Sequence, residues 1–205
     1  MLPSWLTIGA KTRQNDLDVA FTISLQPGSQ NNSALNGVGS SNNGGLNNRQ
    51  AFITVGDKSW GSVKIGKDLG IYASDAILND MTLLGVGSGA GGLAGNTTTT
   101  GRIGTGFMYA DWKGQIAYTT PNFNGFQATV GITNPNQAST NSLNQDRFGL
   151  EAKASYSFVQ DNFSGKVWVS GASYDVTRFN DAETTVSVGD IGATIKAGDF
   201  GLTGY

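Results

Sequence analysis

Few residues in this 205-residue sequence are equipped for covalent chemistry. It contains no His and no Cys, which excludes serine–histidine triads, thiol nucleophiles, disulfides and imidazole or thiolate metal sites from the chain. Glu occurs only at positions 151 and 183, and no closely spaced carboxylate pair shares a strand face as a glycosidase requires. The Gly-rich tract at 85–95 lacks the GxxxxGKS/T pattern and the strand-to-helix setting of a phosphate loop, so it reads as a flexible loop. Catalysis, a metal and a cofactor are therefore not expected. The remaining chemistry is that of fixed charges: 13 Lys and Arg against 15 Asp and Glu, a net charge of −2, with no basic cluster that would track nucleic acid.

Fixed charges act only where a scaffold places them, and the scaffold shows in a rhythm. Strand-like runs fall near 4–11, 17–25, 49–56, 61–67, 103–118, 126–132, 147–158, 163–175, 185–196 and from 201 onward, about ten in all. Short connections at 12–16, 57–60, 121–125, 159–162 and 197–200 carry Asn, Asp and Gly, the residues of tight turns. The alternate connections, at 26–48, 68–102, 133–146 and 176–184, are long. If consecutive strands are antiparallel, all short turns lie at one end of the sheet and all long loops at the other, the asymmetry of outer-membrane barrels. With 38% hydrophobic and 14% charged residues and 30 Gly, the composition suits one domain of β-structure with long loops. No apolar run reaches the length of a spanning helix, a fact that leaves a spanning barrel open.

The strands are two-faced. Leu17, Val19, Phe21, Ile23 and Leu25 oppose Asp18, Ala20, Thr22 and Ser24, and Phe148 to Phe158 and Phe126 to Ile132 alternate in the same way. A soluble antiparallel sheet would show the same alternation, with its greasy face turned to a core. Two details favour a membrane barrel. The polar face is rich in small residues with scattered charges (Lys11, Lys64, Glu151, Lys153, Lys196), and aromatics gather at strand ends (Trp5, Trp60, Tyr118, Phe126, Tyr156, Phe158, Tyr174). In 163–175 and 185–196 the pattern slips, since Trp168 and Tyr174 fall out of step with Val167 and Val169, and Val186 and Val188 with Ile191 and Ile195. A β-bulge in either strand would account for the slip.

The stretch GGLNNRQAFITVGDKSWGSVKIGKDLGIY, Gly44 to Tyr72, resembles the strand–turn–strand segment that leads into the third loop of Gram-negative general porins. GQIAYTTPNFNGFQATVGI, Gly114 to Ile132, resembles the hairpin that follows that loop. The resemblance spans nearly the whole chain, which aligns with an interior portion of such a porin. It implies an all-β, antiparallel transmembrane barrel of about sixteen strands in the complete protein, in the bacterial outer membrane, usually trimeric, through which ions and small polar solutes diffuse. No signal peptide opens the sequence and a strand is beginning where it stops, so the expectation is one porin-like domain over 1–205, incomplete at both ends.

In that family the third loop folds into the barrel and narrows it, facing basic side chains on the opposite wall. Here the loop corresponds to 68–102, with a helical turn expected around Ala73 to Leu78 that would carry Asp75 and Asp80 to the constriction. For the basic wall the candidates are Lys11, Arg13, Arg49, Lys64, Lys67 and Arg102, with Lys64 foremost because Val63 and Ile65 face outward. A low-dielectric wall focuses the field of such groups, so a weak anion preference is expected. The plainer reading of each residue is a solvated turn, cap or strand end. Two other functions are weighed: a surface β-sandwich or solenoid acting as an adhesin, which suits the Gly, Asn and Thr loops and whose greasy faces would meet in a dry core, and, more weakly, a barrel enzyme, against which the missing His and scarce Glu argue. A channel would instead turn those faces outward as a belt about 25 Å tall.

Overall fold

A computed structural model describes residues 5–27, 46–79, 112–134, 143–144, 147–178 and 183–205. Its elements are β1 (Leu6–Gln14), β2 (Leu17–Pro27), β3 (Leu46–Asp57), β4 (Gly61–Leu69), α1 (Ser74–Leu78), β5 (Trp112–Thr119), β6 (Phe126–Thr133), β7 (Leu143–Asn144), β8 (Gly149–Gln160), β9 (Phe163–Arg178), β10 (Glu183–Ala197) and β11 (Phe200–Gly204). All strands join one antiparallel sheet in the order β1-β2-β3-β4-β5-β6-β8-β9-β10-β11, and the two-residue β7 pairs with β9. Each strand of the main path lies beside its neighbour in the chain, so the short turns are all at one end. Two of them, Asn15–Asp16 and Asn124–Gly125, place both central residues at positive φ (49° and 62°, 51° and 100°). That is the two-residue hairpin turn whose twist matches the strands it joins. Among the described residues β1 and β11 do not pair with each other, and the sheet is open.

The greasy face looks outward. Cross-strand register aligns Ala10, Phe21, Ile53, Ile65, Ile116, Ile132 and Leu150 in one lateral row running from β1 to β8. Ile65 is 50% exposed and Leu150 54%, whereas the polar face holds the fully buried Ser24, Thr133 and Glu151. A soluble sandwich would bury the row, whereas here it is exposed. On β9 and β10 the outer face is apolar from Phe163 to Gly171 and from Ala197 to Gly189, then turns polar at the paired Ser173 and Ser187. Nine residues of tilted strand match a membrane crossing, so these two long strands rise above the apolar belt at the long-loop end.

The slipped pattern in β9 and β10 does not come from a bulge. Their register runs unbroken from Glu183↔Thr177 to Ala197↔Phe163. Trp168, Tyr174, Val186 and Val188 simply face inward, where Tyr72, Ala73, Ala172 and Tyr174 form a buried cluster with Val188 packed against it. These inward side chains are apolar because protein, not water, covers them. The register shift that does occur lies between β2 and β3 at Ser24/Leu25, where Arg49 is the extra residue. Three glycines on this sheet sit directly under rings: Gly149 under Tyr174, Gly165 under Phe158 and Gly192 under Trp168, with no room for a Cβ at any of them.

Candidate functional site

The segment following β4 runs down the inner face of the sheet instead of leaving it. Its anchor is Glu151 on β8, whose carboxylate takes five hydrogen bonds. Oε2 accepts from the backbone N–H groups of Ile71 (2.7 Å) and Tyr72 (2.8 Å). Oε1 accepts from Lys113 Nζ (2.7 Å), Tyr174 OH (2.5 Å) and Thr133 Oγ1 (3.1 Å). A buried carboxylate without partners would be expelled or neutralised; here two backbone donors from the loop and three side-chain donors from the wall hold it. Gly131, beside Glu151 in the register, makes room for the approach, since a Cβ there would stand 2.8 Å from Ile71 Cδ1.

Below this anchor the chain turns at Ala73, a non-glycine residue at φ 55°, whose N–H donates to Ser170 Oγ (2.9 Å). Ser170 in turn donates to Asp190, which also accepts from Trp168 Nε1 (3.1 Å). The short helix α1 then brings Asp75 against two wall lysines, with Lys153 Nζ 2.9 Å from Oδ2 and Lys166 bound to Oδ1. Burial alone would push the Asp75 carboxyl up, but Lys166 and Lys153 outweigh it and hold the group below the usual carboxylate range. Ala76 and Ile77 pack on Leu69, and Thr194 on β10 donates to Asn79 Oδ1 (3.4 Å). Polar and apolar contacts alternate along the docked segment, and it spans the inner face of β5, β8, β9 and β10.

The residues singled out from sequence fall in different places. Asp75 lies in α1, as the expected helical turn requires, but its partners are on the wall it rests against, not across the lumen. Lys64 points inward from β4 and binds Asp68, which also accepts from Gln50 Nε2 (2.9 Å); its Nζ lies 5.0 Å from the Phe52 ring centroid. Lys11 occupies the same lateral row as Lys64 and Glu151, through Ala20, Thr54, Ala117 and Gly131. Lys11 and Lys64 therefore share the inner face with the loop anchor. Arg13 is at the short-turn end, bonded to Asp18 Oδ2 (2.8 Å) and Asp57 Oδ2 (2.7 Å) and so tying the first two turns together. Arg49 is buried at the long-loop end, its Cζ 5.8 Å from the Trp5 centroid and 5.9 Å from that of Trp112. Lys67 is in register with Ala51 and Gly114 and shares the outer face with Ile65, turned away from the lumen. Asp80 and Arg102 lie outside the described residues.

Glu151, Lys113, Lys166, Ser170 and Tyr174 carry the docking yet were not singled out from sequence as a site. One signal was present: Glu151 is one of only two Glu and sits with Lys153 on the polar face of an otherwise amphipathic strand.

The sequence profile of the Gram-negative porin family matches residues 3–205. No curated protein matches the sequence. Among solved structures, the outer membrane channel DcaP of Acinetobacter baumannii is similar in fold, with a TM-score of 0.63 and 16% identity over 97% of this chain and 49% of that one. An anion-selective porin from Comamonas acidovorans aligns with a TM-score of 0.48 and 15% identity, over 94% of this chain and 64% of that one. The chain spans about half the length of the DcaP chain.

Proposed function

The chain belongs to the Gram-negative porin family of the bacterial outer membrane, and from that premise we propose that it forms part of the wall of a water-filled channel for passive diffusion of ions and small hydrophilic solutes. The segment beginning at Asp68 is its constriction loop, reaching toward Arg102 as the family resemblance implies. The observation that carries this reading is the direction of the two faces: apolar residues outward in a continuous row, and inward a chain segment fastened by Glu151 and Asp75. A loop segment held against the wall by buried charge-assisted bonds narrows a lumen from one side. Lys64 and Lys11, on the inner face of β4 and β1, form the facing basic wall. The channel is non-enzymatic and works as a homotrimer, both on the strength of the family.

The test is single-channel recording of the complete parent protein in a planar lipid bilayer. Stepwise, ohmic conductance is expected. Folded, membrane-inserted protein that stays silent would overturn the channel reading and favour a structural or adhesive role.

A further inference from the structure

Apart from the fully buried Lys113–Glu151 pair of the anchor, the ion pairs on the inner face of the sheet body are lopsided in the same sense. The Lys64 side chain is 31% exposed against 10% for Asp68, and Lys153 and Lys166 are 23% and 35% exposed against 10% for Asp75. Glu151, the remaining carboxylate of the loop anchor, is fully buried. The Asp68 and Asp75 carboxylates are thus turned into protein contacts, while the ammonium groups of Lys64, Lys153 and Lys166 are the more exposed partners and reach the lumen. Two further lysines, Lys11 on β1 and Lys196 on β10, lie on the inner face and carry no ion pair among the described residues. At the short-turn end Arg13 is matched by Asp18 and Asp57, so the imbalance belongs to the body of the lumen.

We infer that this lumen favours small anionic solutes, carboxylates or phosphates, because the acids that would balance its lysines are spent in fastening the loop. The inference rests on the channel reading above. An ion passing down the lumen meets Lys64 and Lys11 on one side and Lys166 and Lys196 on the other, and among the described residues the acids nearest to it are held in protein contacts, Asp68 and Asp75 by lysines and Asp190 by Ser170 and Trp168. A unit charge about 10 Å from the ion path changes the local ion concentration by a factor of about two even at the dielectric constant of water, and a low-dielectric wall raises that factor. Screening weakens it as the Debye length shrinks from about 10 Å at 0.1 M to about 3 Å at 1 M salt.

The experiment is the reversal potential of the complete protein under a potassium chloride gradient, for wild type and for the double variant Lys11→Gln/Lys196→Gln. Neither side chain takes part in docking, so the loop and the sheet stay intact. The expected result is a chloride-to-potassium permeability ratio above one near 0.1 M, approaching one near 1 M, and falling about threefold in the double variant, since screening at 0.1 M cuts each charge's effect to a factor of about 1.3 on either ion and so about 1.7 on their ratio. A wild-type ratio at or below one, or a ratio unmoved by the double variant, overturns the inference while leaving the channel standing. Absence of any conductance overturns the channel itself.

Discussion

Replacing Glu151 with glutamine changes one oxygen to an NH2 group and removes one charge, at a site where five donors converge on a fully buried carboxylate. The amide has two orientations and both fail. With its NH2 toward the loop, it faces the N–H groups of Ile71 and Tyr72, donor against donor. Turned the other way, it faces the ammonium of Lys113, whose side chain is 3% exposed and has lost its counter-charge. Each buried donor left without an acceptor costs about 1–3 kcal/mol, and leaving one partner of a buried ion pair uncompensated costs about 3–5 kcal/mol. The backbone ladder of the sheet is untouched, so the cost falls on loop docking. At about 1.4 kcal/mol per factor of ten, the undocked fraction rises roughly a hundred- to a thousandfold. Limited chymotrypsin digestion of the folded protein, read by mass spectrometry at Tyr72 and Leu78, measures that fraction. Cleavage there should accelerate by about two orders of magnitude with little change in barrel melting, and single-channel records should become noisier. Wild-type cleavage and noise in Glu151→Gln would refute the view that this carboxylate fastens the loop.

Gly131→Val tests the same docking through sterics: its Cβ would meet both Ile71 Cδ1 and the backbone oxygen of Ile116 at 2.8 Å, so overpacking of about 1–3 kcal/mol should raise cleavage at Tyr72 and lower barrel melting together, without altering any charge. Asp75 gives a pH dependence whose sign follows from its lowered carboxyl in α1. A depressed folded-state pKa contributes stability that is present above the ordinary carboxylate range and lost as pH falls through the depressed value. Protease resistance should hold from neutral pH down to about pH 4 and decline only below it; loss of resistance between pH 7 and pH 5 would contradict the assigned pairing.

The alternation of Leu17 to Leu25, Phe126 to Ile132 and Phe148 to Phe158 determined the strands and their two faces, because a period of two admits no other regular structure. Asn15–Asp16 and Asn124–Gly125 likewise marked hairpins, since few residues tolerate positive φ at both turn positions. The helical turn at Ala73 to Leu78 was also legible, though in the structure it begins at Ser74 after a left-handed Ala73. Alternation alone left open which face lay outward; the exposed row from Ala10 to Leu150 decided it, and with it spoke against a sandwich with a dry core. It also misled at Trp168, Tyr174 and Val188, where a bulge was expected in an unbroken register. Their greasiness belongs to a floor on which residues 69–79 lie, and no local pattern tells lipid from docked chain. Glu151 is the same case in polar form. A lone acid on a polar strand face reads as a hydrated lumen charge until Ile71 and Tyr72, some 80 residues away in the chain, bring their N–H groups to it. Periodicity is local and determined the wall; partner identity is long-range, and only the tertiary structure decided what the wall holds.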